Sequence, residues 1–324
     1  MGNNKKDQRS PVFPYDERFP VSQTPLIIHH GGFQPHIPFC LWQNRRSNSG
    51  HPLILLGDET NRIRGIDYRH ETVADHQEKN RHLIVAYRHV TDSEFLKERS
   101  HLERWFILSS FLEKSGINQF YFLDSDYLLF CSLAEHESAW LNHEAAGTPS
   151  FWGLCYFRTA EPVHQFCRWL LELYGQEDRF QSMLARCQAM GSGLQEMSYI
   201  EEYCREKNLS VAPLDWRHTS SPDCFDDCYY GCSYFDHPAD FRRLRQTAPG
   251  GHVLLETGKG PRRLLGLHFQ GHRKRQIPGF TGWNPEVARA FMRPNYRRNL
   301  RHLYQYVWEG WRCRSLLRRP MGSA

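Results

Sequence analysis

Short apolar runs, separated by longer segments of mixed polarity, form the basic pattern of this chain. Four of the runs are rich in branched and aromatic residues and are bounded by turn-forming residues: positions 26–29, 53–56, 82–87 and 120–123. Their length and composition predict four buried strands. A further apolar run at 264–267 predicts another strand towards the end of the sequence.

The segments between the strands carry helical spacing. One helix is predicted to begin over 38–43 and another to end at Gly116, because six residues of the second helix fall on one face. These are Phe95, Leu102, Trp105, Phe106, Ser109 and Leu112. Alternating strands and helices with short loops predict an α/β fold, in which helices flank a mixed, mostly parallel central sheet. Ligands of such sheets bind beyond the carboxyl ends of the strands.

Composition narrows the class of protein. The chain has 324 residues, of which 40% are hydrophobic and 24% are charged, so we expect a globular protein with a sizeable core. No apolar run approaches the length of a transmembrane helix, and residues 1–10 lack the apolar core of a secretory signal. With ten cysteines and no such signal, we expect free thiols and a cytoplasmic location.

The main predicted domain covers residues 24–285, between a flexible lead at 1–23 and a basic, aromatic helical tail at 286–324. Positions 289–319 hold nine arginines and a single acid, Glu309. Two interpretations of the tail are open. Either its aromatic residues dock on the domain, or it makes peripheral contact with anionic lipid on the cytoplasmic membrane face. We expect no nucleic-acid partner.

A cluster of three cysteines also allows two interpretations. Cys224, Cys228 and Cys232 follow one another at four-residue steps. They would hold a structural metal if a fourth ligand such as His237 joined them, and otherwise they form a Cys-rich loop.

Two aspartates directly follow the strand at 120–123. Asp124 and Asp126 stand between the apolar runs Phe-Tyr-Phe-Leu and Tyr-Leu-Leu-Phe, where an unpaired carboxylate costs free energy. A bend at the end of the strand would aim both side chains at one ion, and oxygen ligands suit Mg²⁺ and Mn²⁺. We therefore expect a divalent metal site here, rather than a surface turn that caps the next element.

The second candidate segment follows the strand at 264–267. The imidazole of His268 is suited to complete a metal shell, and Gly271 permits close approach of the backbone to an anion. Lys274 supplies a mobile charge that suits phosphate. Asp58, which closes the second strand, is expected either to bind the nucleoside of a ligand or to cap the next helix.

The two segments together resemble the motifs of one group of enzymes. The Asp-Ser-Asp at 124–126 looks like the DxD motif of GT-A glycosyltransferases. The His-x-x-Gly-x-x-Lys at 268–274 resembles the HxxGxxK motif of the family-eight enzymes, the glycogenin and galactosyltransferase group. The resemblance spans roughly residues 25–277. It implies a GT-A fold, which is Rossmann-like, and transfer of a sugar from a nucleotide-diphosphate donor.

The resemblance also implies roles for single residues. Asp124, Asp126 and His268 would hold Mn²⁺ or Mg²⁺. Lys274 would contact the donor diphosphate, and Arg104 would lie near the donor sugar. The full set of expected donor-binding residues is Asp58, Arg104, Asp124, Ser125, Gly271 and Lys274.

A third segment carries the expected catalytic residues. The Leu-Gln-Glu-Met at 194–197 is similar to the Asp-Gln-Asp segment of the family, with leucine in place of the first acid. The match puts Gln195 and Glu196 beside the donor and the acceptor. In a retaining reaction Gln195 would orient the donor. In an inverting reaction a carboxylate, that of Glu196, Glu201 or Glu202, would deprotonate the acceptor hydroxyl. The resemblance to the family implies retention of the anomeric configuration, whereas the residues themselves allow either a retaining or an inverting reaction.

Three functions are therefore to be compared. The first is a metal-dependent hexosyltransferase that uses a UDP-sugar, or a GDP-sugar, and a glycan or lipid-linked acceptor. The second is a nucleotidyltransferase that makes sugar nucleotides, which needs a cation in its first glycine-rich loop, whereas the His-His-Gly-Gly at 29–32 has none beside it. The third is a non-enzymatic protein that binds polyanions or lipid through its tail, which would leave Asp124 and Asp126 without a task.

Overall fold

A computed structural model describes residues 24–63, 65–91, 94–147, 153–190, 193–214, 223–225, 244–247, 251–257, 260–281 and 308. The predicted lead at 1–23, the side chains of the cysteine cluster within 224–232, and the tail at 286–324 apart from Trp308 lie outside these residues.

The described residues form strands, α-helices and short 3₁₀ helices. The strands are β1 (Leu26–His29), β2 (Leu53–Gly57), β3 (Arg69–Thr72), β4 (Phe120–Asp124), β5 (Tyr127–Leu129), β6 (Ala145–Gly147), β7 (Leu154–Phe157), β8 (Val211–Pro213), β9 (Asp223–Phe225), β10 (Leu244–Gln246), β11 (Val253–Thr257) and β12 (Gly260–His268). The α-helices are α1 (Ile37–Ser47), α2 (Asn80–Ala86), α3 (Phe95–Ser115), α4 (Glu161–Gly175), α5 (Glu177–Ala189), α6 (Glu196–Lys207) and α7 (Ile277–Phe280).

Seven strands form the central sheet, in the order β3-β2-β1-β4-β7-β6-β8. The four strands from β3 to β4 are parallel to one another, as are β6 and β8, whereas β7 is antiparallel to both of its neighbours. The prediction of an α/β fold with helices around a mixed, mostly parallel central sheet is therefore confirmed.

The central strands are apolar at consecutive positions because they are covered on both faces. Ile27 belongs to a hydrophobic cluster that contains Trp105 of α3, whereas the next residue, Ile28, belongs to a second cluster that contains Phe39 of α1. All four side chains are at most 2% exposed. A helix thus packs on each side of the sheet.

One predicted strand is wrong. Residues 82–87 lie largely in helix α2, where Leu83 is buried but Ile84 and Val85 are 43% and 89% exposed. A short run of branched apolar residues cannot by itself distinguish a strand from a helix. The strand beside β2 is instead β3, an edge strand of polar sequence that gives no hydrophobic signal.

The predicted end and buried face of α3 are largely confirmed. Gly116 follows the helix with a φ of 68°, in the left-handed region that favours glycine. Phe95 departs from the expected buried face because it lies at the first position of the helix, where it is 44% exposed.

Two further expectations concern cysteines and membranes. The described cysteines are free thiols, as predicted: Cys40, Cys131, Cys155, Cys167, Cys187 and Cys204. Within the part of the chain that the structure describes, none of the helices combines the length and the hydropathy that a bilayer span needs.

A second sheet lies beside the end of β4. Its order is β10-β11-β12-β5, with β9 also paired to β12. Because β4 ends at Asp124 and β5 begins at Tyr127, the chain passes from the central sheet to the second sheet at Ser125 and Asp126. The Asp-Ser-Asp segment therefore lies at the junction of the two sheets.

Amide side chains of α1 bond the edge of β5 that β12 leaves uncovered. Asn44 Nδ2 donates to the carbonyl of Tyr127 at 2.9 Å, and the N–H of Leu129 donates to Asn44 Oδ1 at 2.8 Å. Gln43 Nε2 donates to the carbonyl of Leu129 at 2.9 Å. Both amides are fully buried, so α1 satisfies this backbone edge as a neighbouring strand would.

We expect Asn44→Leu to lower the free energy of unfolding by about 2–4 kcal/mol, because it removes two hydrogen bonds to buried backbone groups. Urea unfolding followed by circular dichroism measures the change. Gln188→Leu, on the exposed face of α5, is the matched control and should change stability by less than about 0.5 kcal/mol. Equal effects of the two substitutions would contradict the role of Asn44.

Candidate metal and donor site

Asp124 and Asp126 lie at the end of β4, which sets their position in the fold. β1 and β4 are parallel, and Asp124 is in register with His29, the last residue of β1. The turn at Ser125 and Asp126 then leads directly into β5. The carboxylates therefore lie beyond the carboxyl ends of parallel strands, where the sequence predicted a ligand site.

His268 reaches the same place through the pairing of β12 with β5. These strands are antiparallel, His268 is in register with Tyr127, and the N–H of Phe269 donates to the carbonyl of Asp126 at 3.0 Å. His268 Nε2 lies 3.3 Å from Asp124 Oδ2 and 3.3 Å from Asp126 Oδ1. One ligand atom from each of the three residues lies within 4.8 Å of the others. The two distant motifs thus meet in space.

These three residues fit a divalent cation. Two carboxylate oxygens and one imidazole nitrogen suit Mn²⁺ or Mg²⁺, which complete their shells with water or phosphate oxygens. Burial alone would lower the pKa of His268, but the charges of Asp126 and Asp124 outweigh it and raise the pKa to about 10. The acids thus attract positive charge to this point, and a metal ion would replace the proton on the imidazole.

Lys274 lies in the same site. A 3₁₀ helix, Gly271–Gln276, follows β12 and begins at Gly271 with a φ of 56°, which favours glycine. This turn brings Lys274 Nζ to 2.9 Å from Asp126 Oδ2. Burial opposes ionisation of Asp126, but the charges of His268 and Lys274 hold its pKa below the usual range.

Arg104 links the metal acids to the third predicted segment. It projects from α3, forms an ion pair with Asp124, and donates from Nε to Glu196 Oε1 at 2.7 Å. Trp105 Nε1 donates to the same Glu196 oxygen at 2.5 Å. Burial raises the pKa of Glu196, which is 8% exposed. Asp124, Arg104 and Glu196 are therefore connected in one chain of contacts.

The neighbours of Glu196 have different surroundings. Gln195 is the N-cap residue of α6 and is half-buried. Leu194 is 2% exposed and belongs to the hydrophobic cluster on the α3 side of the sheet. This apolar environment suits the leucine at this position. The expected contact of Gln195 with a donor stays a prediction.

Asp58 has the second of its two predicted roles, that of a cap. It precedes a 3₁₀ helix, Glu59–Asn61, and its carboxylate accepts from the N–H of Thr60 at 2.8 Å and from the N–H of Gly32. The N–H of Asp58 in turn donates to Asn61 Oδ1 at 3.0 Å. These bonds hold the two loops after β1 and β2 together, and contact of Asp58 with a nucleoside stays a prediction.

Two histidines of the site, His30 and His36, were not predicted from the sequence. Ser125 Oγ lies 2.8 Å from His30 Nδ1 and 3.4 Å from His36 Nε2. His36 is completely buried, and Ser125 is 7% exposed. His30 could have been predicted from its position in the sequence. It directly follows β1, and the carboxyl ends of parallel strands meet at one edge of the sheet.

No protein-family model and no curated protein matches the chain by sequence. Solved structures that resemble it include mouse xyloside xylosyltransferase 1 in its apo form, with 12% identity and a TM-score of 0.42 over 60% of this chain and 85% of that one. The glycosyltransferase GlyE of Streptococcus pneumoniae has 12% identity and a TM-score of 0.37 over 91% and 64% of the two chains. The bifunctional glycosyltransferase WbbM has 13% identity and a TM-score of 0.42 over 86% and 52%. The chain thus spans less than two thirds of GlyE and of WbbM.

Proposed function

We propose that this protein is a GT-A glycosyltransferase that binds Mn²⁺ or Mg²⁺ and transfers a sugar from a nucleotide-diphosphate donor. The observation that carries the proposal is the meeting of Asp124, Asp126 and His268 at one point, with ligand atoms within 4.8 Å of one another. The motifs that resemble the family-eight enzymes are the same motifs that the fold brings together.

The leaving group sets the chemistry of such a reaction. As the bond from the anomeric carbon to the diphosphate breaks, negative charge builds on the diphosphate. A bound Mn²⁺ or Mg²⁺ supplies Lewis-acid stabilisation of this charge worth several kcal/mol. In our proposal Lys274, which lies 2.9 Å from Asp126 Oδ2, binds a diphosphate oxygen when the donor is present. Apart from the flanking part of the chain, no atom of the described residues lies within 4 Å of the position that a Cβ would take at Gly271, so there is space for an anion beside this backbone.

We propose that Glu196 positions Arg104 rather than acting as a base, which agrees with the retention that the family resemblance implies. Its Oε1 accepts from both Arg104 and Trp105, so the carboxylate holds Arg104 beside Asp124. Although burial raises the pKa of Glu196, its Oε1 already accepts two hydrogen bonds and the side chain is buried, so in our proposal it does not serve as the base that an inverting reaction requires. In our proposal Glu196 fixes Arg104 against the donor sugar, and Gln195 orients the donor.

The proposed donor is a UDP-sugar, by resemblance to the family-eight enzymes, and a GDP-sugar is the alternative. The proposed acceptor is a glycan or a lipid-linked saccharide. Peripheral contact with the cytoplasmic membrane face through the basic tail at 286–324 belongs to the same proposal.

We expect thermal unfolding to show which nucleotide the protein binds. UDP, GDP, their common hexose conjugates and the triphosphates UTP and GTP are each tested with and without Mn²⁺. One nucleotide should raise stability only in the presence of Mn²⁺, by about 2.7 kcal/mol at a concentration 100-fold above Kd. Stabilisation by a nucleoside triphosphate and not by a diphosphate would point to a nucleotidyltransferase. The absence of any Mn²⁺-dependent stabilisation would contradict the proposal.

A further inference from the structure

Two histidines enclose the serine of the Asp-Ser-Asp turn. His30 Nδ1 lies 2.8 Å from Ser125 Oγ, and His36 Nε2 approaches the same hydroxyl at 3.4 Å. The two imidazole rings meet edge to face, with 5.7 Å between their centroids. Because His29 of β1 is in register with Asp124 of β4, His30 stands at the edge of the sheet where the metal acids lie.

Each imidazole has a second nitrogen that is buried. Among the residues that the structure describes, none forms a hydrogen bond with His30 Nε2 or with His36 Nδ1. A buried polar atom without a hydrogen bond costs about 1–3 kcal/mol of stability, and a bound water molecule, ion or ligand removes that cost.

The proton on Ser125 decides which imidazole donates. A hydroxyl has one proton, so it donates to one of the two rings and accepts from the other. If Ser125 donates to His30 Nδ1, then His30 carries its own proton on Nε2 and His36 donates to the serine. His30 Nε2–H then needs an acceptor, while His36 keeps only a lone pair on Nδ1.

The surroundings of His30 favour an anionic oxygen as that acceptor. Burial and the charge of Lys274 outweigh the opposing charges of nearby aspartates and lower the pKa of His30 to about 4, so the ring is neutral near pH 7. Lys274 is the residue that would hold the donor diphosphate, and Asp126 is a proposed metal ligand. His30 therefore lies among the groups that would bind the nucleoside diphosphate.

We propose that His30 binds the nucleoside diphosphate directly, with Nε2–H donating to an oxygen of the diphosphate or the ribose. Ser125 and His36 fix the orientation of the ring. This inference rests on the proposed function. His30 Nε2 is buried in the present arrangement, so in this proposal the side chains that cover it turn when the donor binds.

Two substitutions separate the two nitrogens of His30. The amide of His30→Asn reaches the position of Nδ1 and keeps the contact with Ser125, whereas the amide of His30→Gln reaches the position of Nε2 and keeps a donor for the ligand. Calorimetric titrations use Mn²⁺ with UDP, with GDP and with inorganic pyrophosphate. We expect His30→Asn to weaken binding of the nucleotide by about tenfold or more, and His30→Gln to stay within about threefold of the natural protein.

The matched control is His82→Asn, because His82 is exposed on α2, and it should bind as the natural protein does. Unfolding midpoints and titration with Mn²⁺ alone establish that the fold and the metal site persist in each variant. Weaker binding of pyrophosphate as well as nucleotide would assign the contact to the diphosphate. Weaker binding of the nucleotide alone would assign it to the ribose.

Two results would overturn the inference and leave the proposed function intact. One is unchanged nucleotide binding in His30→Asn. The other is an equal loss in both variants, which would mean that His30 only supports the turn. Failure of the natural protein to bind UDP, GDP and pyrophosphate would overturn the proposed function, and this inference with it.

Discussion

Asp126→Asn is expected to abolish the response to Mn²⁺ and to lower donor hydrolysis or sugar transfer by a factor on the order of 10²–10³. Asparagine keeps the size of the side chain but removes the charge between His268 and Lys274. At 5% exposure, Asp126 has little solvent to replace that charge. The Mn²⁺-dependent shift in unfolding temperature and the release of free nucleotide from the donor measure the two effects.

The control for this prediction is a solvent-exposed aspartate, Asp178. Asp178 lies exposed in the first turn of α5, and Asp178→Asn should leave both the Mn²⁺ response and turnover unchanged. Circular dichroism establishes that Asp126→Asn keeps the fold. If folded Asp126→Asn turns over donor at the natural rate, the assignment of the metal site is wrong.

Gly153→Ala should have the second large effect, because this glycine makes room for His268. A Cβ at position 153 would stand 2.8 Å from His268 Nδ1, 2.9 Å from its Cε1 and 3.2 Å from Tyr127 Cδ2. The imidazole is 2% exposed and has little space to retreat. We expect a loss of about 1–3 kcal/mol in the free energy of unfolding. The displaced ring should also weaken Mn²⁺ binding by about 10- to 100-fold.

Chemical denaturation and titration with Mn²⁺ measure these two quantities. Gly175→Ala is the matched control. Gly175 ends α4, and apart from its own helix a Cβ there meets no atom of the described residues within 4 Å. It should change stability by less than about 0.5 kcal/mol and leave Mn²⁺ affinity unchanged. Natural Mn²⁺ affinity in Gly153→Ala would show that His268 does not need this space.

The parts of the fold that were predictable are those with a local cause. β1, β2 and β4 are apolar at consecutive positions, and Gly116 ends α3 in a conformation that favours glycine. The α2 segment differs from its prediction because a short apolar run fits a strand and a helix equally well, and the fold decides between them. Its Val85 is exposed although its sequence suggests a core.

The residues of the site likewise include some that the sequence predicts and some that it does not. Asp124 and Asp126 are recognisable because carboxylates between apolar runs require a cationic partner. The histidines around Ser125 and the space at Gly153 carry no such signal, since each depends on a neighbour that is distant in sequence. Ser125 is 95 positions from His30, and their contact exists only because β1 and β4 pair in parallel.

The amino-acid sequence alone determined the alternation of strands and helices, the acidic turn after β4 and the histidine at the end of β12, because hydrophobic periodicity and local charge act over a few residues. Only the tertiary structure decided that these segments meet. The crossing from one sheet to the other at Ser125 and Asp126, and the antiparallel register of Tyr127 with His268, place the three potential metal ligands together. Such pairing depends on the packing of the whole chain, which no short segment encodes by itself.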